Sequence, residues 1–300
     1  MNPSLVYISS SKSGNPYGIT VAQLNDATGE LTIVQQDDAV SECQYLGLHP
    51  NGKYLYATTM DNDCEVVSFK IDDTGKVSAM NRLSAAGGSP CYVSVDDSHK
   101  NVLMVNYNTK EGRGNVRIYP IDADGQLQAH TEMIEHDGGS VNPDRQQESH
   151  PHMIVTTPDN RFAIVPDLGT DTVYVYALDT DSGTLSLHTE VKLHAGAGPR
   201  HVSFHPALSL MYVINELDST LDTFFYNTDN DTWTHRATIS TLPDDFPNAG
   251  DEVSYCADVH VHPNGKFLYG SNRGHDSIVI FALGVDGIPS LVGHESTRGH

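Results

Sequence analysis

Short apolar runs alternate with polar turns along the whole chain, and no long stretch has helical periodicity. Residues 172–178, Thr-Val-Tyr-Val-Tyr-Ala-Leu, and residues 277–283, Ser-Ile-Val-Ile-Phe-Ala-Leu, alternate β-branched and aromatic side chains. Turn sequences such as Asp179-Thr-Asp-Ser-Gly follow these runs. The pattern therefore predicts an all-β protein built from short strands, which is typical of a sandwich or a propeller.

An internal repeat decides between these two architectures. Residues 48–56 read Leu-His-Pro-Asn-Gly-Lys-Tyr-Leu-Tyr, and residues 261–269 read Val-His-Pro-Asn-Gly-Lys-Phe-Leu-Tyr. Looser copies begin at Thr157 and His205. The copies recur about every 45 to 60 residues, which is the range for propeller blades. We predict a β-propeller whose blades have four strands each.

The repeat gives five full units and a partial one. Residues 5–36 supply three strands without the leading strand of the unit, and the sequence ends at Thr297-Arg-Gly-His300, where another unit would begin. We expect residues 1–300 to form a single propeller domain from which the C-terminal blade is missing. The alternative is a ring that closes with six blades.

Composition narrows the range of partners. The chain has 39 acidic and 17 basic side chains, for a net charge of −22. This charge repels nucleic acid and anionic membranes, so we predict neither as a partner. A small anionic ligand would have to be bound by a local cluster of arginines. We expect a monomer or a weak homo-oligomer.

The N-terminal sequence and the cysteines indicate a cellular location. The first residues, Met-Asn-Pro-Ser-Leu-Val-Tyr, lack the basic and apolar regions of a signal peptide, and no apolar stretch has the length of a membrane span. The four cysteines are far apart, which is typical of reduced thiols. These features predict a cytoplasmic protein.

Charged residues stand at two positions where blade packing does not require them. In the other units the position of Arg200 is taken by Gln44, Cys91, His152 and Ala257. The position of Glu216 is taken by Met60, Tyr107, Leu168 and Arg273. Both positions lie near the same end of the inner strands, so we predict a catalytic cluster of His152, Arg200, Glu216 and Arg273. The alternative is a buried Arg200–Glu216 salt bridge that only fills the channel, although buried charges are costly.

Further polar residues surround this cluster in the predicted fold. The connection at residues 134–149 is longer than an ordinary blade loop and could fold over the channel mouth. Its polar side chains could then reach a ligand, or they could be plain loop residues. The predicted substrate-binding set is Arg145, Gln146, His150, Asp167, His201, Asp258 and His260.

Motifs of other enzyme classes are not found in the sequence. It contains no G-x-G-x-x-G, Walker, G-x-S-x-G or H-E-x-x-H motif. A metal site formed by His150, His152, Asp258 and His260 is an alternative, but the spacing of these residues is not diagnostic. We predict neither a metal nor a cofactor. The single tryptophan, Trp233, argues against the recurring Trp-Asp dipeptide of WD40 scaffolds.

Several segments, taken in order, resemble the lactonase family of seven-bladed propellers. They are Ser149-His-Pro-His152, Asp167-Leu-Gly-Thr-Asp-Thr-Val-Tyr-Val-Tyr, Gly196-Ala-Gly-Pro-Arg-His-Val-Ser-Phe-His-Pro, Val213-Ile-Asn-Glu-Leu, Asp258-Val-His-Val-His-Pro and Ser271-Asn-Arg-Gly-His-Asp-Ser-Ile. The family includes the cycloisomerase-type 6-phosphogluconolactonases and the fungal carboxymuconate lactonising enzymes. This chain departs from the family in its missing seventh repeat and in Asp258, where glutamate is more frequent.

The resemblance implies a reaction and a set of residues. The reaction is the hydrolysis of 6-phospho-D-glucono-1,5-lactone in the pentose phosphate pathway, without a cofactor. The proposed catalytic cluster of the family falls on His152, Arg200, Glu216 and Arg273. We expect His152 or Glu216 to act as the general base and an arginine to stabilise the oxyanion. The alternatives are a muconate-type cycloisomerase and a non-catalytic propeller that binds an anionic ligand.

Overall fold

The structure is a computed structural model that describes residues 4–11, 14–86, 88–110, 112–250 and 252–299. Within these residues, 23 strands form five four-stranded sheets and one three-stranded sheet. A single 3-10 turn, Asp61–Asp63, is the only helical element of this part of the chain. The repeating unit of four strands and the three-stranded first unit are therefore confirmed.

The strands of the first three sheets lie in the first half of the chain. The first sheet contains β1 (Ser4–Ser9), β2 (Ile19–Leu24) and β3 (Leu31–Asp37). The second contains β4 (Cys43–Leu48), β5 (Tyr54–Thr59), β6 (Glu65–Ile71) and β7 (Val77–Ser84). The third contains β8 (Pro90–Val95), β9 (Asn101–Asn106), β10 (Asn115–Pro120) and β11 (Glu132–Glu135).

The remaining sheets follow the same chain order. The fourth contains β12 (Val155–Thr156), β13 (Phe162–Asp167), β14 (Thr172–Asp179) and β15 (Thr184–Lys192). The fifth contains β16 (Pro199–Phe204), β17 (Leu210–Asn215), β18 (Thr220–Asn227) and β19 (Thr232–Ser240). The sixth contains β20 (Tyr255–Val261), β21 (Phe267–Arg273), β22 (Ser277–Leu283) and β23 (Pro289–Ser296).

The register of the leading strand pair confirms the alignment of the repeats. Pro199 pairs with Asn215, and the register then shifts before His201, so Arg200 is the extra residue of a β-bulge. Shifts occur at the same place in β4, β8 and β20. A bulge bends the strand and changes the direction of one side chain. The position of Arg200 is therefore special in its geometry, whichever residue occupies it.

The chain divides into two compact units, each with its own apolar packing. The first comprises Met1–His136, Ile154–Ile164 and Tyr176–Leu187, and the second comprises Asp137–Met153, Val165–Val175 and His188–His300. In the first unit, Val21 of β2 packs with Leu55 and Phe69 of the second sheet. In the second unit, Tyr212 and Ile214 of β17 pack with Phe281 of the sixth sheet. Alternation along each strand thus buries one apolar row against the next sheet.

A tyrosine-to-glycine hydrogen bond joins consecutive sheets within each unit. In the first unit the hydroxyl of Tyr56 donates to the carbonyl of Gly125 at 3.1 Å. In the second unit the hydroxyl of Tyr212 donates to the carbonyl of Gly287 at 2.7 Å. Gly287 has φ of 73°, and a Cβ there would lie 2.2 Å from Cδ1 of Leu210. The close approach of the two sheets therefore requires glycine in this turn.

The buried hydroxyl of Tyr212 provides a test of this contact between sheets. In Tyr212→Phe, the carbonyl of Gly287 loses its donor in a buried place. We expect the free energy of unfolding to fall by about 1 to 3 kcal/mol. Urea denaturation measures it. The control is Tyr269→Phe on β21, whose hydroxyl has no hydrogen-bond partner in the part of the chain that the structure describes. Equal stability of the two variants would contradict this account.

Candidate active site

The two charged positions of the fifth sheet meet at the end of its leading strand pair. Arg200 is the bulged residue of β16, and Glu216 directly follows β17. The backbone N–H of Glu216 donates to the carbonyl of Gly198 at 2.7 Å, which ties the end of β17 to the start of β16. The sequence thus brings the guanidinium and the carboxylate to the same end of one sheet.

Glu216 is a buried carboxylate that is shared by three arginines. Its Oε2 accepts from Nε of Arg200 at 2.8 Å and lies 2.9 Å from Nη2 of Arg273. Its Oε1 accepts from Nη2 of Arg145 at 2.6 Å. The four residues come from β16, β21, the segment after β17 and the connection between β11 and β12, and all lie in the second compact unit. The structure therefore brings together Arg200, Glu216 and Arg273, as predicted, and adds Arg145 to them.

The cluster carries a net positive charge. Burial raises the pKa of Glu216. The charges of Arg200 and Arg273 and the hydrogen bond from Arg145 lower the pKa by more than burial raises it, so the net shift is downward. Glu216 is therefore ionised at neutral pH. Three guanidinium groups against one carboxylate leave two positive charges, in a protein whose net charge is −22. Such a local excess attracts a small anion.

The three arginines differ in how far they reach solvent. Their side chains are 15% exposed for Arg200, 34% for Arg145 and 51% for Arg273. Nη1 of Arg200 also donates to the carbonyl of Ala257 at 2.7 Å and lies 3.2 Å from Nε2 of His201. Nη2 of Arg273 likewise donates to the carbonyl of Cys256 at 3.0 Å. Arg200 is thus the least exposed of the three arginines, whereas Arg145 and Arg273 present more of their side chains to solvent.

A chain of polar contacts extends from Arg200 to the surface. Nδ1 of the buried His201 lies 2.8 Å from Oδ1 of Asp258, and Oδ2 of Asp258 lies 3.0 Å from Nε2 of the exposed His260. Burial lowers the pKa of His201 to about 4, although Asp258 partly opposes the shift. The hydrogen bond to Asp258 raises the pKa of His260. His201 is therefore neutral at pH 7, with one nitrogen facing Asp258 and the other facing Arg200.

His152 adds an uncharged imidazole beside the arginines. Its backbone N–H donates to the carbonyl of Pro166 at 3.0 Å, and its ring lies 5.3 Å from that of His201, measured between centroids. Burial, and next the charge of Arg200, hold the pKa of His152 well below its usual range. At neutral pH the ring is thus an uncharged group that can accept a proton.

Three other predicted residues serve the internal structure of the unit. Oδ1 of the fully buried Asp167 accepts the backbone N–H groups of His150 and Gly169, at 2.7 and 3.0 Å. The buried Gln146 donates through Nε2 to the carbonyl of Leu168 at 2.8 Å. His150 is buried as well. These contacts hold the backbone that carries Arg145 and His152, and direct substrate binding by the three residues stays a prediction.

Sequence reasoning missed two residues at this site. Asp171 is buried and accepts hydrogen bonds from both the connection that carries Arg145 and the segment before Arg200. The guanidinium of Arg145 lies over the ring of Tyr255, 5.8 Å from its centroid. A carboxylate stands at Asp171 where other units have Cys64 and Ser219. The partners of Asp171 and Tyr255 come from distant loops, however, and a comparison of repeats does not show such partners.

The described residues contain neither a side-chain cluster suited to a metal ion nor a helix suited to cross a membrane. Within residues 4–11, 14–86, 88–110, 112–250 and 252–299, no three or more His, Cys, Asp or Glu side chains group closely enough to hold a metal ion. No helix in the described part of the chain has the length and apolar character that a bilayer span requires. All four cysteines are free thiols; three are buried, and Cys91 is partly exposed.

A family model described as Lactonase, 7-bladed beta-propeller, matches residues 5–300. The chain belongs to this lactonase family. The predicted resemblance and the all-β propeller of four-stranded blades are thereby confirmed. The described residues form six sheets, one fewer than the blades of the family description.

Relatives of the chain include proteins with a named activity. It is 31% identical over 303 residues to a 6-phosphogluconolactonase of Bacillus subtilis, with 100% of this chain and 84% of the relative covered. It is 30% identical over 293 residues to a 6-phosphogluconolactonase of Formosa agariphila, with 94% and 80% covered. A solved structure from Lactobacillus plantarum is 30% identical, with a TM-score of 0.87 and 98% and 82% covered.

Removal of the shared carboxylate tests the energetics of the cluster. In Glu216→Gln, three guanidinium groups lose their counter-charge in a partly buried place. We expect the free energy of unfolding to fall by about 3 kcal/mol, at the low end for a broken buried pair because Arg273 is half exposed. The control is Glu295→Gln, whose exposed pair with Arg298 should contribute less than about 1 kcal/mol. A loss for Glu216→Gln no larger than that of the control would show that the cluster is not held by charge pairing.

Proposed function

We propose that this chain hydrolyses 6-phospho-D-glucono-1,5-lactone to 6-phosphogluconate, the lactone hydrolysis step of the pentose phosphate pathway. The observation that carries the proposal is the excess of two positive charges around Glu216, next to the uncharged imidazole of His152. A phosphorylated lactone needs both a cationic site and a base. The names of the Bacillus subtilis and Formosa agariphila relatives support the same activity.

The more exposed arginines are suited to hold the substrate. Arg145 and Arg273 each use one nitrogen, Nη2, on Glu216 and have side chains that are 34% and 51% exposed. Guanidinium groups bind phosphate and carboxylate oxygens through paired hydrogen bonds. The side chain of Arg200 is only 15% exposed, and it bonds Glu216 and the carbonyl of Ala257. In this proposal, Arg145 and Arg273 bind the phosphate and stabilise the oxyanion, and Arg200 holds their shared counter-ion.

His152 is the better candidate for the general base. Glu216 is bonded to three arginines that lower its pKa, so it accepts a proton poorly. His152 is uncharged at pH 7 because its pKa is lowered. A bound phosphate brings nearly two negative charges, which offset the arginines and favour protonation of the imidazole during the reaction. Glu216 thus organises the arginines, while His152 transfers the proton.

The chemical step conserves atoms and protons. His152 takes a proton from water as the water oxygen bonds to the lactone carbonyl carbon. The tetrahedral oxyanion, stabilised by an arginine, then breaks its bond to the ring oxygen, and the proton held by His152 passes to that departing oxygen. A base contributes typically 10²- to 10⁴-fold, and one oxyanion donor about 10²- to 10³-fold. Because the substrate is a phosphorylated sugar, we also propose that the protein acts in the cytoplasm.

A comparison of two lactones tests the role of the arginines. Wild-type protein should consume fresh 6-phosphogluconolactone faster than the spontaneous reaction and should prefer it to glucono-1,5-lactone. We expect Arg145→Ala and Arg273→Ala each to reduce that preference about 10- to 100-fold, because each loses a charge-assisted contact with phosphate. The control is Arg236→Ala on β19, an exposed arginine outside the site.

Three results would count against this proposal. No turnover of either lactone would favour a propeller that only binds anions. Turnover of carboxymuconate alone would favour a cycloisomerase. An unchanged preference in Arg145→Ala and Arg273→Ala would remove these arginines from substrate recognition.

The pH dependence of kcat/KM separates the two candidate bases. Below its pKa His152 is protonated and cannot accept a proton, so activity should fall as the pH falls, with an apparent pKa below 6.5. We expect His152→Gln to lower kcat about 10²- to 10⁴-fold and to abolish this acid limb. Glu216→Gln should keep the limb, even if its rate is lower. Loss of the limb in Glu216→Gln, with the limb retained in His152→Gln, would exchange the two roles.

A further inference from the structure

One turn position is used repeatedly to join a sheet to the next. The residue before the third strand of several sheets has a left-handed backbone, with φ of 70° at Cys64 and 57° at Ser219. Sγ of Cys64 contacts the carbonyl of Gly88, and Oγ of Ser219 donates to the carbonyl of Ser254 at 2.8 Å. Each partner lies just before the leading strand of the following sheet. This position therefore supports the segment that enters the next sheet.

At the equivalent position of the fourth sheet, Asp171 accepts four hydrogen bonds. It has φ of 49° and is 4% exposed. Its Oδ1 and Oδ2 accept the backbone N–H groups of Gly198 and Gly196, each at 2.7 Å. This pair is the usual support for the next leading strand. Two more donors come from elsewhere: Nε2 of Gln146 at 2.7 Å to Oδ1, and Oγ of Ser140 at 2.5 Å to Oδ2.

These four bonds fix both partners of one ion pair in the active site. Gln146 directly follows Arg145 in the connection between β11 and β12. Gly198, which Asp171 holds through its N–H, accepts the N–H of Glu216 on its carbonyl at 2.7 Å. One carboxylate is thus attached to the loop of Arg145 and, through a single residue, to the backbone of Glu216. The 2.6 Å contact between Arg145 and Glu216 spans these two supports.

We propose that Asp171 is a positioning residue, which holds the Arg145 loop against Glu216 and so sets the affinity of the site for the anionic substrate. The inference rests on the proposed function, because it assigns Arg145 to substrate binding. Asp171 itself is buried beneath the loop and does not touch the substrate. Its action is therefore exerted through the position of Arg145.

The chemistry of the position favours a carboxylate over an amide. Four donors converge on two oxygens, and each oxygen accepts two of them. Asparagine tolerates the left-handed backbone, but it replaces one oxygen with an NH₂ group that would face two donors. Asp171→Asn therefore keeps the backbone conformation of the turn but weakens the hydrogen bonds that hold the loop of Arg145. Asp276→Asn is the matched control, because Asp276 has φ of 51° at the same position of the sixth sheet. Its Oδ1 accepts the backbone N–H of Gly274, within its own turn, at 3.1 Å.

Limited proteolysis tests the positioning without reference to activity. Trypsin cleaves after arginine, and Arg145 lies in the loop that Asp171 holds. We expect native Asp171→Asn to be cleaved after Arg145 at least about tenfold faster than wild type, as befits a loss of about 1.4 kcal/mol or more of local stability. Cleavage at other sites and the rate for Asp276→Asn should stay at the wild-type level. Unchanged cleavage after Arg145, or faster cleavage throughout the chain, would overturn the inference.

Kinetics of the double variant test how Asp171 acts. We expect Asp171→Asn to raise KM for 6-phosphogluconolactone about tenfold or more with a smaller change in kcat, as Arg145→Ala should. If Asp171 acts through Arg145, the double variant should have the KM of Arg145→Ala alone. Multiplied effects in the double variant would overturn the inference.

The two experiments separate failure of the inference from failure of the proposed function. Selective cleavage after Arg145 in Asp171→Asn, with no lactone hydrolysis by wild type, would support the claim that Asp171 positions the loop. The same result would refute the lactonase proposal. Hydrolysis by wild type with unchanged cleavage in Asp171→Asn would refute the inference alone.

Discussion

A single buried carboxylate, Glu216, and the three arginines that share it set the conditions that the second compact unit must meet. A buried charge is tolerated only when it is paired, so Arg145, Arg200 and Arg273 must all approach within hydrogen-bonding distance. They come from three separate elements of the chain. The pairing therefore requires the fifth and sixth sheets and the long connection to hold one mutual arrangement.

The β-bulge supplies the local geometry for this arrangement. A regular strand would continue the alternation of side chains past Pro199, whereas the extra residue turns Arg200 toward the end of β17. The same shift occurs where Gln44 and Cys91 stand, so the backbone feature belongs to the repeat and the charge belongs to this sheet. The charge of Arg200 thus stands at a structural position that four of the described sheets share. The alternative from the sequence was an Arg200–Glu216 salt bridge that only fills the channel. In the structure Glu216 also pairs with Arg145 and Arg273, and these two arginines give the cluster a net positive charge.

Comparison of the repeats predicted most of the fold and the centre of the site. The repeated His-Pro-Asn-Gly phrase gave the four-stranded unit, and the departure of Arg200 and Glu216 from their equivalents located the cluster. The role of Asp171 could not be predicted, because it depends on segments far apart in sequence that meet only in the fold. Polarity alone could also not show that Asp167 faces backbone N–H groups inside the unit. Register predicts where a residue lies, but the partner of a polar side chain depends on the loops around it.

Binding of the reaction product tests the central claim most directly, since it depends on the charge of the cluster and not on the identity of the base. Isothermal titration of wild-type protein with 6-phosphogluconate should show one site whose affinity falls as the salt concentration rises. The variant with both Arg145→Ala and Arg273→Ala should lose that binding. Equal affinity in wild type and in this double variant, or no binding to wild type, would contradict the account of an arginine cluster built to hold a phosphorylated sugar acid.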